Sequence, residues 1–239
     1  MEDRYVVDLI LPSHEVHLLG GPSGAGKTRW LLQSLLEWQQ GKDFLGFKSH
    51  PVPWVYVAAD RSVISVCRTL SGMGINPEDI LAIPAWDQQM GLNEILDKIQ
   101  ASKAELVVWE SFGSFVDPPG NGHKVKELLS RINKFCRTHK VTVIGVVESP
   151  KQKPYERYEN PRQRISGAAA WGHFSETIFL VEPEDFEVAD NPYRTLHCCP
   201  RNAPALKILL AFDPYGRLLP VQQDEAAEVV KRMEKKRKK

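Results

Sequence analysis

A phosphate-binding loop is the strongest chemical signal in this chain. The run Gly21 to Thr28 fits the pattern G-x-x-x-x-G-K-[ST] in full. Glycines let successive backbone N–H groups turn toward phosphate oxygens, and the helix that follows presents its positive end. Lys27 is expected to reach the β- and γ-phosphates of a nucleotide, and the Thr28 hydroxyl to bind Mg²⁺. The predicted nucleotide-binding residues are Gly21, Pro22, Ser23, Gly24, Ala25, Gly26, Lys27, Thr28 and Arg29.

The elements around this loop predict an α/β fold. A short apolar-leaning run of strand length, residues 14–19, precedes the loop, and a helical pattern that runs to about Gln40 follows it. Further strands are predicted over residues 54–59, 80–84, 106–109, 141–147, 177–181, 195–199 and 206–213, and further helices over 62–70, 92–102, 125–139 and 168–175. Strands that alternate with helices indicate a mostly parallel central sheet covered by helices on both faces.

Composition limits the class of protein. The net charge is +1 with 26% charged residues, so any nucleic-acid surface must be local rather than global. The four cysteines show no C-x-x-C spacing, which favours reduced thiols and a cytoplasmic location. No apolar run approaches the ~20 residues needed to cross a membrane. We expect one domain over residues 1–223, followed by a basic C-terminal helix or tail over 224–239.

The order of the motifs resembles the core of RecA-like P-loop ATPases. Three acidic residues end predicted strands after the loop, in the order Asp60, Glu110 and Glu148. The hairpin over residues 200–213, with Arg201 in its turn, looks like the arginine-finger hairpin of DnaB-type replicative helicases. The compact chain is similar to RepA-type plasmid helicases. The resemblance covers about residues 14–214 and implies a RecA-like fold with a C-terminal β-hairpin.

The same resemblance implies roles for these residues in an ATP site shared between subunits. Asp60 stands where the family has a glutamate that polarises the attacking water, and Glu110 where it has the acid on the Mg²⁺ side. Glu148 takes the position of the polar sensor, and Arg201 would be donated to the nucleotide of a neighbouring subunit. From the residues alone, Asp60 is also a favoured helix N-cap and Glu148 is equally a solvated loop residue, so both alternatives stay open.

A basic segment between the predicted strand at 141–147 and the next helix is the candidate DNA-binding loop. Its cations are Lys151, Lys153, Arg157, Arg162 and Arg164. Tyr155 and Tyr158 lie among them, and single-strand binding requires cations that neutralise phosphates and aromatic rings that stack on bases. A solvated linker is the alternative. The 113–123 loop is a second candidate, and the basic tail could add non-specific affinity.

These observations lead to one expectation and two alternatives. We expect an ATP-hydrolysing, Mg²⁺-dependent RecA-like motor that acts on single-stranded DNA, of the replicative-helicase or recombination type. It would work as a homo-oligomer, with a hexamer expected. One alternative is a RecA-like regulatory ATPase without a DNA role. The other is a helicase loader or accessory protein that binds ATP only to assemble.

Overall fold

A computed structural model gives the architecture of the chain. It describes residues 4–116, 121–149, 162, 165, 169–184 and 191–221. The strands are β1 (Tyr5–Val7), β2 (Leu11–Pro12), β3 (Val16–Gly20), β4 (Trp54–Val57), β5 (Ala82–Ile83), β6 (Leu106–Trp109), β7 (Thr142–Val146), β8 (Thr177–Pro183), β9 (Tyr193–Pro200), β10 (Leu206–Phe212) and β11 (Leu218–Pro220). The α-helices are α1 (Lys27–Gln39), α2 (Val63–Gly72), α3 (Leu92–Ser102), α4 (Gly122–His139) and α5 (Ala169–His173). Short 3₁₀ turns lie at Pro77–Asp79 and Phe112–Phe115.

A nine-stranded sheet runs through the described part of the chain in the order β11-β10-β9-β8-β3-β7-β6-β4-β5. Six neighbouring strands of this sheet, β8, β3, β7, β6, β4 and β5, run parallel to one another. The strands β9, β10 and β11 extend the sheet beyond β8, and each pairs with its neighbour in antiparallel orientation. The predicted mostly parallel sheet with a C-terminal hairpin is therefore confirmed. Because β3 lies between β7 and β8, the loop that follows β3 stands at the carboxyl ends of the central strands. This edge is where ligands bind in open α/β sheets.

Helices cover both faces of the sheet because its parallel strands are apolar on both sides. Along β6, Leu106 and Val108 belong to the apolar cluster that contains the buried face of α1 and α2. The alternate residues Val107 and Trp109 belong to the cluster that contains α3 and α4. Packing on both faces holds the carboxyl ends of the strands in fixed relation to one another, which is what a site built from several loops requires.

The N-terminal end of the chain differs from the prediction. β1 and β2 form a small separate antiparallel sheet in a region where no strand was predicted. The basic tail over 224–239 lies outside the described residues, and so do Lys151, Lys153, Arg157 and Arg164. No disulfide joins cysteines in the described ranges. Among those residues no helix is long and apolar enough to cross a membrane.

Candidate nucleotide-binding site

The loop between β3 and α1 has a backbone shape that its glycines allow. Gly24 and Gly26 have φ angles of 77° and 95°, a region that L side chains rarely adopt. At Gly21, where φ is 149°, an added Cβ would lie 2.3 Å from the carbonyl oxygen of Val181 on β8. Gly26 is the N-cap of α1, so the first N–H groups of the helix face the loop. The loop therefore has the form of an anion cradle.

Lys27 closes this cradle from the first turn of α1. Its Nζ donates hydrogen bonds to the carbonyl oxygens of Gly21 at 2.8 Å and Pro22 at 3.1 Å. Burial lowers the pKa of the Lys27 ammonium, and the negative charges of Glu148 and other nearby acids oppose that shift in part. The ammonium thus lies inside the loop, surrounded by oxygen atoms, where a bound phosphate would supply further partners.

Thr28 and Glu110 meet although they are far apart in the chain. The Thr28 hydroxyl donates a hydrogen bond of 2.5 Å to Glu110 Oε1. Glu110 follows β6 directly, and only 3% of its surface is exposed. A hydroxyl and a carboxylate are the hard oxygen donors that Mg²⁺ prefers. The pair therefore fits the metal-binding role predicted for these two residues.

A cleft of about 1020 Å³ opens above the loop. It is bounded by the loop, the start of α2, the segment after β6, the end of β7 and the turn between β10 and β11. The predicted site residues that line it are Ser23, Gly24, Gly26, Lys27, Thr28, Arg29, Asp60, Glu110 and Glu148. Because parallel strands end at the same edge of a sheet, acids from three separate strand ends share one cleft with the P-loop.

Comparison with known proteins decides the family. The model of the AAA_25 family, an AAA domain, matches residues 2–154. The chain belongs to this AAA domain family. The structure of the chain is also similar to a crystal structure of a KaiC-like protein from the hyperthermophilic archaeon Pyrococcus horikoshii, with a TM-score of 0.65 and 17% identity over 92% of this chain and 100% of that one. This likeness confirms the RecA-like fold. No curated protein matches the chain.

In this AAA domain, the capping alternative for Asp60 is wrong. The N-cap of α2 is Ser62, whose side chain accepts a hydrogen bond from the Ser65 amide at 3.3 Å. Asp60 is left on the rim of the cleft with its side chain 37% exposed. Glu148 is exposed at the end of β7 and lines the same cleft. Both carboxylates can therefore reach a ligand and water.

Arg201 and Arg162 both form contacts with other residues of their own chain. Arg201 donates to the carbonyl oxygens of His173 and, at 3.3 Å, Ser175, and its Nε lies 3.5 Å from Glu176 Oε1. Arg162 donates to carbonyl oxygens of the segment after α5 and of β9, including Glu176 and Cys199, both at 2.8 Å. Neither arginine lines the cleft of its own chain. The contacts of Arg162 favour a structural role over the predicted DNA contact.

Two arginines that were not predicted as site residues, Arg61 and Arg194, contact the site. Arg61 contacts Thr28 and Glu110 from the start of α2. Arg194 lies buried in β9, and its Nε donates a hydrogen bond of 3.1 Å to the carbonyl oxygen of Ala25 in the P-loop. The strand that holds Arg194 also contains Thr195 and His197, so no local pattern singles Arg194 out. Nothing in its local pattern distinguishes Arg61.

Proposed function

We propose that this AAA domain hydrolyses ATP with Mg²⁺ and uses the energy as a motor on single-stranded DNA. The observation that carries the proposal is the meeting of Thr28 and Glu110 beside the P-loop, within reach of Lys27. The loop would hold the phosphates, and Lys27 would exchange its two carbonyl partners for the β- and γ-phosphates. Thr28 and Glu110 would hold Mg²⁺, which neutralises phosphate charge when bound.

The part of the cleft beside the turn between β10 and β11 is proposed to hold the nucleoside. Phe212 and Gly216, at the turn between β10 and β11, line the cleft together with Arg29. The Arg29 guanidinium donates a hydrogen bond of 3.3 Å to the Gly216 carbonyl oxygen, so α1 and this turn are joined beside the loop. An aromatic ring and a guanidinium plane are groups on which a nucleobase can stack. In this proposed orientation the γ-phosphate would lie toward Asp60 and Glu110.

Asp60 is proposed as the group that activates the attacking water. Ser62 takes the capping role, and Asp60 is therefore available at the rim, where solvent reaches it. Asp60→Asn keeps the size of the side chain but cannot accept a proton, so it should bind ATP and stop turnover. Glu148→Gln tests the other exposed carboxylate of the cleft. Phosphate release by both variants, at equal nucleotide occupancy, shows which carboxylate the reaction requires.

Arg201 is proposed as a finger donated to the nucleotide of the next subunit in a homo-oligomer, with a hexamer expected. It lies in the turn between β9 and β10 with its side chain 44% exposed, and it contacts Glu176 and the Ser175 carbonyl oxygen of its own chain. An arginine supplied in this way contributes roughly 10³–10⁵ in rate in other phosphoryl-transfer enzymes. To act, Arg201 would have to exchange these contacts for a phosphate of the neighbour.

The DNA role rests on the resemblance to DnaB- and RepA-type helicases and on the basic segment that carries Lys151, Lys153, Arg157 and Arg164. The test is the ATPase rate with and without single-stranded DNA at two salt concentrations, with Lys27→Ala as the blank. We expect DNA to stimulate the rate, and less so at high salt because phosphate contacts release counterions. An ATPase rate that single-stranded DNA does not change would favour a regulatory ATPase. Assembly with ATP but without hydrolysis would favour a loader or accessory protein.

A further inference from the structure

Arg61 is the charged residue of the cleft that no motif explains. It follows Asp60 and precedes the Ser62 cap of α2. Its Nη2 donates a hydrogen bond of 3.2 Å to the Thr28 hydroxyl oxygen and lies 3.5 Å from Glu110 Oε2, and its Nε lies 3.4 Å from Asp60 Oδ1. One guanidinium thus contacts both residues proposed to hold Mg²⁺ and the residue proposed to activate water.

The charges explain why Arg61 takes this position. The Glu110 side chain is only 4% exposed, and a buried carboxylate is costly without a cation. The planar fork of a guanidinium can contact a hydroxyl and a carboxylate at once, which a lysine ammonium does less well. Burial lowers the pKa of Arg61, but Glu110, Tyr56 and Asp60 together raise it more, so the pKa of the guanidinium lies above the ordinary value. Arg61 is therefore a cation at every accessible pH.

Mg²⁺ would need the same oxygen atoms. It binds oxygen at about 2.0–2.1 Å and prefers octahedral geometry. The guanidinium now lies within 3.5 Å of oxygens on both Thr28 and Glu110. Two cations cannot share that space without strong repulsion. One of them has to move when the other is in contact with the pair.

We propose that the Arg61 guanidinium competes with Mg²⁺ for the oxygen atoms of Thr28 and Glu110. The inference rests on the proposed function, because it assigns the metal to this pair. Loading of Mg²⁺ with the nucleotide requires Arg61 to swing out of the pair. Since the same guanidinium also contacts Asp60, its departure leaves that carboxylate with one cation fewer. Metal loading and the state of the water-activating residue are then coupled through one side chain.

The test measures how the affinity for a fluorescent ATP analogue depends on Mg²⁺. Arg61→Gln removes the charge and keeps a shorter polar side chain at this position. We expect its Mg²⁺ midpoint to fall roughly tenfold, a change of about 1.4 kcal/mol. Arg61→Lys keeps the charge but loses the fork, and should lower the midpoint by roughly threefold. The control is Arg68→Gln, the same charge change at an exposed position of α2 outside the cleft, which should leave the midpoint unchanged.

The affinity for Mn²⁺ alone, measured by electron paramagnetic resonance, tests the same competition without nucleotide. We expect this affinity to rise from the wild type to Arg61→Lys and again to Arg61→Gln. An unchanged or raised midpoint in Arg61→Gln would overturn the competition, and if that variant does not fold, an unchanged midpoint in Arg61→Lys would do so. A wild-type protein that binds the analogue with Mg²⁺ while the variants show no shift refutes only the role of Arg61. A wild-type protein that binds no nucleotide at any Mg²⁺ concentration refutes the proposed function, and this inference with it.

Discussion

Replacing Lys27 with alanine separates the binding role of the P-loop from its structural role. The ammonium donates two hydrogen bonds to loop carbonyls, at 2.8 and 3.1 Å. Lys27 is only half-buried, and its removal also ends the cost of burying the ammonium, so we expect a net loss of about 1 kcal/mol in the free energy of unfolding. For a chain of this size, that lowers the melting temperature by about 2–4 °C.

The loss in nucleotide affinity should be much larger. A pair of unit charges 4 Å apart is worth about 4 kcal/mol at an effective dielectric constant of 20. Lys27 gives up its carbonyl partners to contact a phosphate, which offsets about 1 kcal/mol, so Lys27→Ala should lose about 3 kcal/mol, or roughly a hundredfold in affinity. Titration with a fluorescent ATP analogue measures the affinity, and thermal melting measures the fold.

Lys98→Ala is the matched control, because it removes the same charge from an exposed position of α3. It should change neither the affinity nor the melting temperature measurably. The reasoning would be refuted if Lys27→Ala bound the analogue as tightly as Lys98→Ala does. If Lys27→Ala lowered the melting temperature by much more than the expected few degrees, Lys27 would instead be mainly a structural residue of the loop.

Three further changes test other parts of the account. Gly21→Ala places a Cβ 2.3 Å from a backbone oxygen of β8 and should lower the urea midpoint strongly, whereas Gly72→Ala, with open space around it, should leave the midpoint unchanged or raise it slightly. His17 is fully buried with its pKa lowered from 6.5 to about 4, so only the unfolded chain gains its proton as the pH falls through this window. Wild-type stability should therefore fall by up to about 3 kcal/mol more than that of His17→Gln between pH 6.5 and 4, and equal losses in urea titrations would contradict this. Arg201→Ala should bind ATP but hydrolyse it poorly, and mixing it with Lys27→Ala should recover part of the phosphate release; no recovery in demonstrably mixed assemblies would exclude a shared site.

The sequence was sufficient to predict the elements that position the site. The P-loop pattern gave the turn between β3 and α1, and the apolar runs that end in Asp60, Glu110 and Glu148 gave three strands of the sheet. Such signals are local, since a parallel strand buried on both faces is a continuous apolar run. Their common edge follows from topology, because parallel strands end together.

What could not be predicted depends on contacts between distant parts of the chain. The 2.5 Å hydrogen bond between Thr28 and Glu110 and the contact of Arg61 with Thr28 join the first turn of α1 to two loops that are distant in the chain. Strands β1 and β2 are three and two residues long, too short for a period-two pattern to be visible. The capping alternative for Asp60 failed for a different reason: two favoured caps stand two residues apart, and only the geometry shows that Ser62 takes the position.

The most direct test of the account is phosphate release from ATP by the wild-type protein and by Glu110→Gln, with and without Mg²⁺, in the presence of single-stranded DNA. Glutamine keeps the size of the side chain and can still accept a hydrogen bond from Thr28, but it removes the charge proposed to hold the metal. The account predicts release by the wild type only with Mg²⁺, and none by Glu110→Gln, although that variant still binds nucleotide when the metal is chelated. Release at the wild-type rate by Glu110→Gln, or no Mg²⁺-dependent release by the wild type, would contradict it.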